Sequence, residues 1–262
     1  MLNTAIKAAR KAGSFIVRAS EDINSLTINT KRVNDFVTEV DVSAEKIIIE
    51  TLRDAYPNHS FLGEESGLSH DSDNLWIIDP LDGTTNFLHG FPQYCVSIAL
   101  QQKGAITQAV IFDPNRNDLF SASKGQGAFL NDRRIRVSKK RKLKDSLIGT
   151  GLPFRDFKYL KTYLRMMEEV VLNTQGIRRP GSAALDLAYV ATGWLDGFWE
   201  IGLSKWDIAA GSLIIQEAGG IVSDFSTKDN WLETGNIVCA NPFIYENFIK
   251  LLQTHLTDDL KN

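Results

Sequence analysis

The residues with the clearest chemical potential are Asp79 and Asp82, two carboxylates in the stretch WIIDPLDGTTNF. Residues 76–78 are large and apolar, which indicates the end of a buried strand. Pro80 lacks an N–H group, so we expect it to end this strand in a turn. Residues 83–86 are small and suit the start of a helix with free amides. Such a stretch could hold cations beside a phosphate, although an acidic turn with a helix cap would explain it equally well.

Other carboxylates occupy strand ends and helix starts, where functional groups collect in α/β folds. Asp41 begins a predicted helix, and capping alone would explain an aspartate there. Glu64 and Glu65 follow a predicted strand, and Asp207 opens a further helix. Carboxylates buried together need cations, because like charges raise each other's pKa. Oxygen ligands favour Mg²⁺, Mn²⁺ or Ca²⁺ over zinc, but periodicity alone does not bring these residues together.

The composition is that of an ordinary globular protein, with 262 residues, 43% hydrophobic residues and 23% charged residues. This length allows one large domain or two packed lobes. The net charge of −3 gives no overall basic field that would indicate nucleic acid as the main partner. Cys95 and Cys239 lie in apolar runs without a Cys-x-x-Cys pair, which predicts buried, reduced thiols. No apolar run reaches the ~18 residues of a membrane span, so we expect a cytoplasmic protein.

Hydrophobic spacing predicts a helix over 2–19, a second helix after residue 41, and loops at 20–34 and 68–74. Strands of the first half are predicted at 60–62, 76–78, 96–100, 107–112 and 119–123. Strands of the second half are predicted at 146–150, 177–179, 197–201, 221–225 and 236–240. Helices of the second half are predicted at 156–173, 181–192, 207–218 and 242–255. This alternation indicates a layered α/β architecture.

A strongly basic segment covers residues 133–144, and its eight cations are Arg133, Arg134, Arg136, Lys139, Lys140, Arg141, Lys142 and Lys144. Such a run could contact nucleic acid or an acidic protein surface. It contains no interleaved aromatic residues, which favours a solvated connector between two lobes. The same segment is the best candidate for a boundary between them.

Five motifs follow one another along nearly the whole chain. They are DFVTxxD at 35–41, GEES at 63–66, DPLDGT at 79–84, IRRxGSAALDLAYVA at 177–191, and WD at 206–207 with its helix closed by two glycines. In this order they resemble the inositol monophosphatase family, which comprises Mg²⁺-dependent, lithium-sensitive phosphomonoesterases, and within it the bacterial SuhB type. The resemblance implies an αβαβα sandwich of the sugar phosphatase type. It also implies a single unit with a metal-binding α+β lobe at 1–144 and an α/β lobe at 145–262 that completes the active site.

The resemblance implies a role for each matching position. Two or three Mg²⁺ ions would be bound by four carboxylates and one backbone carbonyl, which belong to Glu64, Asp79, Asp82, Asp207 and Leu81. Thr84 and Asp41 would polarise the attacking water together with a metal on Glu64, for in-line attack without a covalent intermediate. Contacts to the phosphate or the polyol are implied for Leu81, Asp82, Gly83, Thr84, Arg178, Ser182, Ala183, Glu200 and Asp207. The resemblance further implies an interface role for Arg179 and a loop at Lys31 that helps to hold an additional Mg²⁺.

The activity that the resemblance implies is hydrolysis of myo-inositol 1-phosphate by an inositol-phosphate phosphatase. Alternatives on the same motifs are fructose-1,6-bisphosphatase, 3′-phosphoadenosine phosphatase and histidinol phosphatase. A homodimer is implied as well. Because SuhB-type members are associated with transcription antitermination, a second role as a partner of the transcription machinery is a further alternative. Neither a membrane nor a direct nucleic-acid partner is expected.

Overall fold

The computed structural model describes residues 1–25, 28–32, 35–154 and 157–260, and for 24–37 it describes the backbone alone. The prediction for the Lys31 side chain therefore lies outside the described part. The helices are α1 Leu2–Ala19, α2 Glu39–Ala55, α3 Thr84–Leu88, α4 Leu160–Asn173, α5 Ala183–Thr192, α6 Lys205–Glu217, α7 Trp231–Thr234 and α8 Tyr245–Gln253. Across these residues, no helix combines the length and the apolar character needed to cross a membrane.

Fifteen strands occur in the described residues. They are β1 Ile28–Arg32, β2 Asp35–Thr38, β3 Ser60–Gly63, β4 Gly67–Leu68, β5 Asn74–Asp82, β6 Cys95–Gln102, β7 Ala105–Asp113, β8 Asp118–Ser123, β9 Gly127–Leu130, β10 Arg133–Ile135, β11 Leu147–Thr150, β12 Gly176–Arg178, β13 Gly197–Glu200, β14 Ile221–Ser223 and β15 Ile237–Ala240. An eight-stranded sheet has the order β10-β9-β8-β7-β6-β5-β3-β4, a five-stranded sheet has the order β12-β11-β13-β15-β14, and β1 pairs with β2.

Five layers stack in the order helix, sheet, helix, sheet, helix. Helices α1 and α2 share one apolar core with the outer face of the large sheet. Helices α5 and α6 form a central core between the two sheets. Helices α4 and α8 cover the outer face of the small sheet. This arrangement confirms the predicted αβαβα sandwich. The eight-stranded sheet is formed by residues before 144 and the five-stranded sheet by residues after it. The central core between the sheets contains side chains from both parts of the chain.

The central strands β5 to β8 of the large sheet are largely buried on both faces, which explains their long apolar sequences. In β6, Val96, Ile98 and Leu100 pack into the core beneath α1 and α2. Cys95 and Ala99 alternate with them and pack against the central helices. Both cysteines of the chain are buried and unpaired, as predicted.

The structure contains short elements that were not predicted from the sequence. The predicted loop at 20–34 contains β1, which forms a hairpin with β2. The basic segment begins as a strand, because residues 133–135 pair with β9 at the sheet edge. The helix α7 was not predicted either. In each case the element is short, and its few residues carry too little apolar periodicity to be recognised.

The contact between α5 and α6 depends on a close approach at Gly211. A Cβ atom at this position would lie 2.5 Å from the Cβ of Leu187. Because a Cβ atom is fixed to the backbone, an added methyl group would force the two helices apart. We therefore expect Gly211→Ala to lower the free energy of unfolding by about 1–3 kcal/mol, the usual cost of overpacking, as measured by urea denaturation. Gly176→Ala is the matched control, since its nearest neighbour would be 3.6 Å away. Equal stabilities of the two variants would contradict the prediction.

Candidate active site

A cavity of about 480 Å³ opens where the end of β5 meets the starts of α3, α5 and α6. The residues that line it come from both halves of the chain. They include Glu64, Asp79, Leu81, Asp82, Gly83, Thr84, Gly151, Phe154, Arg179, Ser182, Ala183, Asp186, Glu200 and Asp207. Nearly all the site residues named from the sequence therefore share one cavity.

Three carboxylates form the tightest group in this cavity. Asp79, Asp82 and Asp207 each present one oxygen atom, and these oxygens lie within 4.8 Å of one another. Asp79 and Asp207 are buried. Glu64 is half-buried beside them and close enough for its charge to act on Asp79.

The electrostatics of this group favour a bound cation. Burial, followed by the negative charges of Glu64, Asp82 and Asp207, raises the pKa of Asp79 well above 3.8, and the Leu81 amide opposes this only in part. Such carboxylates stay ionised together only when positive charge enters between them. Because every donor is an oxygen, the set fits a hard divalent cation such as Mg²⁺.

The turn between Asp79 and Asp82 is a bulge inside a strand. Pro80 was predicted to end the strand, and this is wrong, because β5 continues through it to Asp82. Asp79 pairs with Ser97 and Asp82 with Cys95, so β5 carries one residue more than its partner over this interval. A proline is tolerated at a bulge because the bulged residue makes no ladder hydrogen bond. The bulge turns both carboxylates toward the cavity.

The start of α5 fixes the orientation of Asp82. Its Oδ2 accepts hydrogen bonds from the Ser182 hydroxyl at 2.6 Å and from the Ala184 amide at 2.7 Å. Ser182 is also the N-cap residue of this helix. A carboxylate is stabilised at a helix N-terminus by the amides it meets there. The second half of the chain thus holds a side chain of the first.

Asp41 and Asp207 occupy equivalent places in two different helices. Each was predicted at a helix start, but α2 begins at residue 39 and α6 at residue 205, which makes both the third residue of their helix. The Asp207 carboxylate accepts from the Ser204 amide at 2.7 Å. The Asp41 carboxylate accepts from the Thr38 amide at 2.8 Å and from the Thr38 hydroxyl at 2.6 Å. In both cases the capping box ties one oxygen to the backbone.

The other oxygen of Asp41 reaches Thr84. The Thr84 hydroxyl lies 3.1 Å from Asp41 Oδ1 and 3.1 Å from the Leu81 carbonyl oxygen. Asp41 is buried, and this burial raises its pKa, against hydrogen bonds from Thr38 and Thr84 that lower it. Thr84 lines the cavity and Asp41 lies behind it. The two residues form a connected pair directed toward the carboxylate group.

Gly83 is the N-cap residue of α3 and has a backbone conformation that favours glycine. Its φ is +100°, and a Cβ atom there would come within 2.8 Å of the Gln93 carbonyl oxygen. The substrate-contact candidates Ser182, Ala183 and Glu200 line the same cavity, and Ser182 lies beside Asp82. The Glu200 carboxylate lies against Gly151, so a side chain at residue 151 would displace this carboxylate.

Arg178 and Arg179 differ in their position relative to the cavity. Arg178 is absent from the cavity lining, and its Nη1 donates to the Ile177 carbonyl at 2.9 Å. Arg179 lines the cavity, and its guanidinium lies 5.0 Å from the centre of the Phe154 ring. Successive side chains of an extended segment point in opposite directions, so only one of the two can face the cavity. The cavity lining therefore contains Arg179, and the substrate contact at Arg178 stays a prediction.

One buried carboxyl of the cavity wall was missed. Asp186 is only 1% exposed, and its Oδ1 has no hydrogen-bond partner among the described residues. Burial, followed by the charges of Glu200 and Asp82, raises its pKa well above 3.8. The available clue was an aspartate in the otherwise apolar sequence ALDLA.

Comparison with known proteins gives one consistent result. The profile of the inositol monophosphatase family matches residues 1–257. The Nus factor SuhB of Pseudomonas aeruginosa is 51% identical over 267 residues, covering 100% of this chain and 98% of that protein. The extragenic suppressor protein SuhB of Bartonella henselae superposes with a TM-score of 0.94 at 45% identity, over 97% and 98% of the two chains. An inositol monophosphatase from Anabaena superposes with a TM-score of 0.84 at 36% identity, over 98% and 97%.

Without a cation, the carboxylate group should destabilise the fold. The pKa of Asp79 is higher in the folded than in the unfolded chain, so the folded protein binds the proton more tightly and its stability falls as the pH rises above 3.8. We expect Asp79→Asn, which can still accept from the Leu81 amide, to remove this loss. In a chelator near neutral pH, its melting temperature should rise by about 2–4 °C per kcal/mol regained. Asp54→Asn, at an exposed position, should leave the melting temperature unchanged. A lower melting temperature for Asp79→Asn would contradict this account.

Proposed function

The chain belongs to the inositol monophosphatase family, and from this we propose that it is a Mg²⁺-dependent phosphomonoesterase that hydrolyses myo-inositol 1-phosphate. The observation that carries the proposal is the juxtaposition of three carboxylates within 4.8 Å with the Thr84–Asp41 pair in one cavity. A phosphate ester bound there would meet cation ligands on one side and a polarising pair on another.

The metal ligands in this proposal are the carboxylates of Glu64, Asp79, Asp82 and Asp207 and the backbone carbonyl of Leu81. When bound, Mg²⁺ would neutralise phosphate charge, lower the pKa of a water and stabilise the leaving alkoxide. The protein supplies ligands that are already oriented, because a capping box holds Asp207 and the start of α5 holds Asp82. Little rearrangement is then required on binding.

The Thr84–Asp41 pair would orient and polarise the attacking water. When the Thr84 hydroxyl donates to Asp41, its oxygen remains free to accept a hydrogen bond from a water in the cavity. A proton released by that water can pass through the hydroxyl to Asp41. Because burial raises the pKa of Asp41, this carboxylate is a stronger proton acceptor than an exposed aspartate.

The remaining wall suits a phosphorylated polyol. The amides of Gly83 and Thr84 at the start of α3 would donate to phosphate oxygens. Glu200, Ser182 and Ala183 line the same cavity, where the carboxylate and the backbone of the small residues would accept hydrogen bonds from ring hydroxyls. Arg179 adds a positive charge at the rim. These groups favour inositol over less hydroxylated substrates, with fructose 1,6-bisphosphate, 3′-phosphoadenosine phosphate and histidinol phosphate as alternatives.

Further properties form part of the same proposal. Lithium would inhibit the enzyme through the carboxylate group that binds Mg²⁺. The protein would act in the cytoplasm as a homodimer. The number of Mg²⁺ ions per site would be two or three.

Phosphate release tests the proposed activity. With Mg²⁺, the protein should release phosphate from myo-inositol 1-phosphate faster than from the three alternative substrates, and a chelator should abolish the reaction. Asp82→Asn should lower kcat by at least ~100-fold, because loss of a pre-oriented charge at the reacting centre costs about this much. Asp54→Asn should retain the wild-type rate. If none of the four substrates is hydrolysed with Mg²⁺ present, the proposed phosphatase activity is refuted. A different order of rates would refute only the proposal that myo-inositol 1-phosphate is the preferred substrate.

A second candidate function comes from the names of the relatives. Proteins about 50% identical over the whole chain are called Nus factor SuhB, and we propose that this chain also binds a component of the transcription machinery. Immobilised wild-type protein should then retain RNA polymerase or its Nus partners from purified mixtures. Asp82→Asn should retain them equally well, because its change lies inside the cavity. Failure of the wild type to retain any component would exclude this function and leave the phosphatase proposal unaffected.

A further inference from the structure

The basic segment 133–144 is a surface of concentrated, uncompensated charge. All eight of its cationic side chains are exposed. Within the described part of the chain, Arg133, Lys139, Lys140, Lys142 and Lys144 form no ion pair. The whole chain nevertheless carries a net charge of −3, so the remainder has an excess of acids. Such asymmetry creates a local positive field on an otherwise acidic protein.

Ser138 anchors this segment between two other elements. The Asn241 amide donates to the Ser138 hydroxyl at 2.8 Å. On another side, a Cβ atom at Gly193 would lie only 2.9 Å from the Ser138 amide nitrogen, so the backbones are in close contact. In addition, the Val137 amide donates to the Ala218 carbonyl. These contacts fix the path of the basic segment across the surface.

An exposed aromatic side chain lies next to each of the two residues, Gly193 and Asn241, that contact Ser138. Trp194 follows Gly193 and is 44% exposed, and Phe243 lies two residues after Asn241 and is 45% exposed. The Arg141 guanidinium lies 4.4 Å from the centre of the Phe243 ring. The basic segment itself contains no aromatic residues, and for this reason its sequence favoured a connector over a nucleic-acid contact. The fold supplies them from distant parts of the chain.

We propose that the basic segment, together with Phe243 and Trp194, is a binding surface for single-stranded nucleic acid. The lysines attract the phosphate backbone, and the bases stack on the exposed aromatic rings or on the guanidinium of Arg141. An acidic peptide would satisfy the lysines but would make no use of the exposed parts of the Phe243 and Trp194 rings. Single-stranded nucleic acid uses both features at once.

This surface is separate from the candidate active site. Gly193 ends α5, whereas Ser182 at the opposite end of the same helix faces the cavity. A helix of this length separates its ends by about 15 Å. None of the residues 133–144 lines the cavity. Changes on the surface should therefore leave phosphate release unchanged, and the two activities can be tested separately.

Fluorescence anisotropy with labelled 16-nucleotide single strands of RNA and DNA tests the charge component. We expect the wild type to bind at low salt, with an affinity that falls steeply as salt increases. The triple variant Lys139→Gln, Lys140→Gln, Lys142→Gln should weaken binding at least ~10-fold and lower the slope of log affinity against log salt by about two, since each lost phosphate contact removes about 0.7. The control variant Lys7→Gln, Lys103→Gln, Lys161→Gln removes three exposed lysines elsewhere and should bind like the wild type.

The aromatic component has its own matched pair of variants. Phe243→Leu should weaken binding about fivefold, while Phe243→Tyr, which keeps an aromatic face, should bind like the wild type. Both should release phosphate at the wild-type rate, which also shows that they fold. The proposal is overturned if the wild type binds neither strand at low salt, if both triple variants lose affinity equally, or if both Phe243 variants behave alike. Tighter binding of labelled polyglutamate than of either strand would overturn it in favour of an acidic protein partner.

Discussion

Asp79, Asp82 and Asp207 repel one another, and the burial of Asp79 and Asp207 limits how far water can screen their charges. A chain gains nothing in stability from bringing such groups together, because desolvation and like charge both disfavour the ionised forms. The arrangement therefore persists only because the surrounding layers are stable enough to impose it. Much of the architecture around the cavity can be understood as the means of imposing it.

Local devices from the large sheet and from the central helix layer perform this task. A bulge in the large sheet aims Asp79 and Asp82, a capping box at the start of α6 holds Asp207, and the start of α5 donates two hydrogen bonds to Asp82. The central helices α5 and α6 in turn pack closely because Gly211 of α6 has no side chain where it meets Leu187 of α5. The positions of the carboxylates thus depend on the packing of the central core, which joins both halves of the chain. A division into two lobes at residue 144 would describe the sheets better than it describes the site.

The sequence predicts the layers and most site residues, but it does not predict their local geometry. Apolar runs reveal strands buried on both faces, and motif order leads to the family. Pro80 and Arg178 show the limits. A proline at position 80 fits either a strand end or a bulge, and only the pairing of β5 with β6 decides between the two. Likewise, two neighbouring arginines look equivalent until the path of the backbone assigns one of them to the cavity. Contacts between distant segments decide such cases, and neither composition nor periodicity contains them.

The same limit explains why the basic segment looked like a plain connector. Its own sequence holds charge without aromatic rings, and both rings near it come from elsewhere, at residues 194 and 243. Ser138 joins these pieces, because it contacts both neighbouring elements while the lysines after it point outward. A connector needs solubility alone, and exposed aromatic rings reduce solubility. The exposed rings of Trp194 and Phe243 beside exposed lysines are therefore better explained by a binding surface. This surface lies at one end of α5, and the candidate active site lies at the other.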